Sequence, residues 1–113
     1  MQPDTKPNIL ALIPAYNEAE RVAAVIRAAC KYLPVLVVDD GSKDRTAAVA
    51  KEAGAEVVVQ TPNQGKGAAL LLGFRHALDQ GCEAVITLDA DGQHDPEEIP
   101  AFLEAYRLRK ADL

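Results

Sequence analysis

Four short apolar runs punctuate the chain: Ile9–Ile13, Val35–Val38, Val57–Val59 and Ala84–Leu88. Each is rich in Val, Ile or Leu, the pattern of a buried strand. Between them the apolar spacing changes to that of helices. The first helical segment places Val22, Val25, Ile26, Ala29 and Leu33 on one face, with Asn17 and Glu20 as a capping pair at its start. A second runs from near Ser42, its cap, to Gly54, with Asp44 at its positive end. A third turns Leu70, Leu71, Phe74, Ala77 and Leu78 inward before Gly81 ends it. Gly54 and Gly81 suit left-handed carboxyl-terminal caps. The last segment opens with Asp95-Pro96-Glu97-Glu98, a cap and a first-turn proline, and aligns Ile99, Phe102, Leu103 and Tyr106. Because Pro100 lacks an N–H, a short turn over 96–98 followed by a separate main helix is expected.

Strand and helix alternate four times, which predicts one α/β domain over 1–113, a parallel sheet with helices on both faces. With right-handed crossovers, the commonest doubly wound order is 3-2-1-4. In that order the winding reverses between strands 1 and 4, and ligands of open sheets bind in the crevice outside the carboxyl ends of the strands at such a point.

Composition narrows the picture. The chain is 49% hydrophobic and 26% charged, and 113 residues allow a single core. A net charge of −5 argues against nucleic acid, whose binders carry a basic stripe. Cys30 and Cys82 form neither a disulfide framework nor a metal knuckle and read as reduced, structural residues. Residues 1–7 lack an apolar signal core and no run is long enough to span a bilayer, so the expected compartment is the cytoplasm. Membrane association of a longer parent protein stays open.

The polar residues that follow the strands carry the chemistry. After strand 4, Asp89-Ala90-Asp91-Gly92-Gln93-His94 places two carboxylates two apart in an extended segment, so that they point the same way. With the amide oxygen of Gln93 they suit Mg²⁺ or Mn²⁺, which keep positions open for substrate phosphate. A capped turn is the plainer reading of the same residues. After strand 2, Asp39 and Asp40 present acceptors for a nucleobase edge or ribose, or simply shape a turn. After strand 1, Pro14-Ala15-Tyr16-Asn17-Glu18 brings an aromatic to the crevice mouth, where Tyr16 covers a base or packs a loop. Asn63-Gln64-Gly65-Lys66-Gly67 opens the third helix with free N–H groups, a lysine and two glycines, an anion site or merely a flexible entry. No ligand role is assigned to His76 or His94, although His94 lies close to the acidic cluster in sequence.

The stretches IPAYNE (13–18), VVDDGSKDRT (37–46), NQGKGAALLLG (63–73) and DADGQHDPEEIP (89–100) together resemble glycosyltransferase family 2, with the GT-A fold, and within it the dolichyl- and polyprenyl-phosphate mannose or glucose synthases. The resemblance implies a Rossmann-like half domain that binds a GDP- or UDP-sugar. Pro14, Ala15, Tyr16, Glu18 and Asp40 would surround the nucleoside, and Asp39, Lys66, Asp89, Ala90 and Asp91 would complete the donor site. Asp89 and Asp91, the expected catalytic pair, would hold Mg²⁺ or Mn²⁺ on the diphosphate with Gln93. The acceptor, a lipid phosphate or saccharide, would bind through a further part of the chain, since family members continue beyond this length. On that basis Leu113 is expected to be a truncation that leaves strand 4 as an open edge, and the isolated chain is expected to be inactive or to act as a nucleotide-binding scaffold. A haloacid-dehalogenase-type phosphatase shares the Asp-x-Asp-Gly pattern, but after its first strand. A signalling receiver domain has its acidic pair on strand 1. A nucleotidyltransferase would show a glycine-rich loop where Pro14-Ala15-Tyr16 stands.

Overall fold

The computed structural model describes residues 8–111. The segment 1–7, read above as lacking a signal core, and the chain end at Leu113 lie outside the described residues. The chain folds as β1 (Ile9–Ala15), α1 (Val22–Cys30), β2 (Val35–Asp39), α2 (Thr46–Glu52), β3 (Glu56–Val59), α3 (Lys66–Asp79), β4 (Ala84–Thr87), a 3₁₀ turn (Pro96–Glu98) and α4 (Ile99–Ala111). The four strands form one parallel sheet in the order β3-β2-β1-β4, as expected from the sequence.

The alternation of side chains along β1 and β2 divides the core between the two faces of the sheet. Ile9, Ala11, Ile13, Val35 and Val37 pack against α1, α2 and Ile99 of α4, whereas Leu10, Leu12, Leu36 and Val38 pack against α3. The α1 face is as read: Val22, Val25, Ile26, Ala29 and Leu33 are all buried. Gly54 and Gly81 adopt φ of 110° and 80°, and the following N–H groups of Ala55 and Cys82 reach back to the carbonyls of Ala50 and Ala77. These bonds close both helices in the Schellman manner. The turn over 96–98 precedes α4, with Asp95 accepting the Glu97 N–H at 2.9 Å.

Three local expectations are corrected. In α3 the buried stripe is Ala69, Gly73 and Ala77, while Leu71, Phe74 and Leu78 are exposed. In α4, Phe102 is also exposed, with Leu103 and Tyr106 half-buried. Asn17 does not cap α1, and Ser42 does not cap α2, which begins four residues later at Thr46. Both side chains instead join two loops across the sheet edge, and that network positions the site.

Candidate functional site

Hydrogen bonds extend the sheet past its strands. Asp40 N–H donates to the Ala15 carbonyl at 2.8 Å, Gln60 N–H to Asp39 O at 2.8 Å, and Leu88 N–H to Leu12 O at 3.0 Å. The chain therefore leaves β1, β2 and β4 side by side, and the segments that follow them enclose one cleft of about 350 Å³. Pro14, Ala15, Tyr16 and Glu18 line one part of it, Asp40, Lys66 and Ala69 another, and Asp89, Ala90, Asp91 and Gln93 the third. Of the donor and metal residues that the family resemblance implies, only Asp39 is not on this wall: it is buried behind it, its carboxylate accepting the Ser42 N–H at 3.0 Å. Asn17 and residues 63–67, apart from Lys66, also stand outside the cleft lining. Ala69 was not foreseen, because an alanine carries no chemical signal of its own.

The loop after β1 is held by the loop after β2. Asn17 adopts a left-handed φ of 54°; its N–H donates to Ser42 Oγ at 2.8 Å and its Oδ1 accepts the Lys43 N–H at 2.8 Å. Glu18 N–H donates to Thr46 Oγ1 at 2.9 Å and Ala19 N–H to Asp44 Oδ2 at 3.2 Å. The Thr46 hydroxyl and N–H both donate to Asp44 Oδ1. Bonding to Thr46, together with the Ala19 N–H, outweighs burial and holds the Asp44 carboxyl below its ordinary pKa. These bonds aim Tyr16 and Glu18 at the cleft. Thr46 is fully buried at the centre of the network. Thr46→Val is therefore expected to cost about 1–2 kcal/mol in urea unfolding by leaving the Glu18 N–H unpaired, with little change in the denaturant slope.

Asp40 is the second anchor. Its Oδ1 accepts from Gln60 Nε2 at 2.7 Å and Gln64 N at 2.8 Å, and its Oδ2 from Asn63 Nδ2 at 3.1 Å and Gly65 N at 2.8 Å. Burial opposes ionisation, but bonding from Gln64, Gln60 and Gly65 prevails and lowers the pKa. The carboxylate thus binds the segment that starts α3. Gly41 lets this segment come close: with φ 69°, any Cβ there would lie 2.7 Å from Asn63 N.

On the acidic wall, Asp89 Oδ1 meets Lys66 Nζ at 3.1 Å and Oδ2 faces His94 Nδ1 at 3.6 Å. Asp91 Oδ1 accepts the Gln93 N–H at 3.1 Å. The carboxylates and the Gln93 amide oxygen are hard donors suited to Mg²⁺ or Mn²⁺. Among the described residues no three His, Cys, Asp or Glu side chains gather to hold an ion by themselves. The donor set matches an ion that completes its shell with phosphate oxygens and water, the usual habit of Mg²⁺.

The sheet order and its switch-point cleft define an open, Rossmann-like unit of the GT-A type. The fold is similar to that of glucosyl-3-phosphoglycerate synthase from Mycobacterium tuberculosis. The structure solved with UDP has a TM-score of 0.66 and 26% identity, over 86% of this chain and 39% of that one. The structure solved with Mn²⁺, UDP-glucose and phosphoglyceric acid has a TM-score of 0.64 and 25% identity, over 86% and 38%. Residues 11–113 match the family described as Glycosyl transferase family 2. Among curated relatives, undecaprenyl-phosphate mannosyltransferase of Micrococcus luteus is 41% identical over 93% of this chain and 46% of its own length. Polyprenol monophosphomannose synthase of Mycolicibacterium smegmatis is 40% identical over 85% and 40%. The chain belongs to glycosyl transferase family 2, and it spans less than half the length of these relatives. The phosphatase and receiver readings fall with that assignment, since the Asp-x-Asp motif follows β4 and the acidic pair follows β2.

Proposed function

We propose that this chain is the donor-binding half of a glycosyltransferase that moves a hexosyl group from a GDP- or UDP-sugar to a polyprenyl phosphate. One observation carries the reading: the ends of β1, β2 and β4 meet in a single cleft, with Asp89 and Asp91 on one side and Tyr16 and Asp40 on another. The two relatives named above are an undecaprenyl-phosphate mannosyltransferase and a polyprenol monophosphomannose synthase, and of the two structural neighbours one was solved with UDP and the other with UDP-glucose and Mn²⁺.

In this reading Tyr16 covers the base or ribose, against the backbone of Pro14 and Ala15. Asp40 shapes the nucleoside site through residues 60–65; a base N–H reaching its carboxylate would replace one of the bonds that now saturate it. Asp89 and Asp91, with Gln93, hold the cation on the diphosphate, and Lys66 lies within reach of the same oxygens. A bound divalent cation supplies Lewis-acid stabilisation of the charge that builds on the leaving diphosphate, worth several kcal/mol. Among the described residues no helix is long and apolar enough to cross a membrane. A polyprenyl acceptor would bring the protein to the cytoplasmic face of one.

Calorimetric titration with GDP and UDP, with and without Mn²⁺, tests the proposal. Binding should depend on Mn²⁺, and Asp91→Ala should weaken it by roughly tenfold or more. Nucleotide binding that ignores both the metal and the substitution would refute the assignment.

A further inference from the structure

Asp89 is the more heavily engaged of the two acidic residues. Lys66 Nζ sits 3.1 Å from one of its oxygens and His94 Nδ1 3.6 Å from the other, whereas the one hydrogen bond recorded at Asp91 comes from a backbone N–H. The lysine side chain is 66% exposed and the Asp89 side chain 23%, so the ammonium lies over the mouth of the site and the carboxylate inside it. Lys66 is also the first residue of α3, directly after Gly65 at φ 101°, so an exposed stem can turn about a base fixed by the helix.

Resting on the cation site proposed above, we propose that Lys66 is an internal counter-ion: it competes with the divalent cation for Asp89 and is handed to the nucleotide's diphosphate once the cation is bound. With Lys66 Nζ 3.1 Å from Oδ1, a divalent ion bound to Asp89 would stand within a few ångström of the ammonium, and like charges that close repel by roughly 1 kcal/mol or more even near water. Displaced, the ammonium finds its next nearest negative partner in a diphosphate held in the same cleft, which Lys66 lines. The side chain thus opposes the metal in the empty site and supports the nucleotide in the filled one. An exposed pair is a weak brake, so the ion displaces it readily.

The two effects have opposite signs, which separates this role from a merely structural one. Lys66→Met should tighten Mn²⁺ binding without nucleotide by roughly three- to tenfold, read from the electron paramagnetic resonance signal of free Mn²⁺. In saturating Mn²⁺ the same variant should bind GDP or UDP more weakly by a similar factor, and Lys66→Arg should stay near wild type in both assays. Loss or no change of Mn²⁺ affinity in Lys66→Met would overturn the counter-ion role. Asp89→Asn identifies failure of the underlying site: if it binds Mn²⁺ as wild type does, the cation is not at Asp89, and both the site assignment and the counter-ion role fall.

Discussion

Asp40→Ala is expected to lower the stability of the fold by about 3 kcal/mol, more than any other single change at the cleft. Asp40 is 4% exposed, and its carboxylate takes N–H bonds from Gln60, Asn63, Gln64 and Gly65. The two side-chain donors can turn to water when it is removed. The backbone N–H groups of Gln64 and Gly65 are fixed by the turn that enters α3, and each donor left without its partner costs roughly 1–3 kcal/mol. Asp40→Asn should recover little, since its NH₂ group must face N–H donors on one side. Urea unfolding should show the midpoint falling with the slope unchanged. The pH dependence has a fixed sign. Asp40 has a lowered native pKa, so its ionised form stabilises the fold fully above the unfolded carboxylate value near pH ~4 and loses that effect as pH falls through the native pKa. The gap between wild type and Asp40→Ala should therefore narrow below about pH 4; a gap that widens in acid would remove Asp40 from this role.

This loop anchor was only half legible from sequence. An acidic pair at a strand end marks a site, but which of Asp39 and Asp40 faces the cleft depends on the turn that follows. Gly41 at φ 69° sends the chain round so that Asp39 bonds Ser42 and Asp40 bonds a segment more than twenty residues away. The misread caps share that cause. Asn17 and Ser42 are good caps by residue type, yet they pair with one another's loops, 25 and 26 residues apart in sequence, and no local pattern encodes such a partner. The strands, their order and the cleft were readable because β1 and β2, buried on both faces, read as nearly unbroken apolar runs and because topology sends their carboxyl ends to one place.

The α3 face failed for a different reason, and it yields the second large prediction. Two stripes of this helix repeat every four residues: Leu70, Phe74 and Leu78, and Ala69, Gly73 and Ala77. Hydrophobicity favours the large set; the structure buries the small one against Leu12 and Val38, because the helix lies close on the sheet. Gly73 is the contact point: a Cβ there would lie 2.4 Å from Leu12 Cδ1 and 2.6 Å from Cδ2. Leu12 is fully buried in β1, one of the two inner strands, and cannot swing into solvent. Gly73→Leu should thus destabilise the protein by about 3 kcal/mol, the overpacking cost exceeding the ~1 kcal/mol that a helix gains when glycine is replaced. The damage should reach the cleft, since α3 carries Lys66 and Ala69 on its wall, and nucleotide affinity should fall with stability. Adding Leu12→Ala frees the space the new side chain needs, so the double variant should lose less than the two single losses combined, as coupled neighbours do. Strict additivity, or a neutral Gly73→Leu, would mean that α3 does not rest on Leu12 and that the large apolar stripe is the buried one after all.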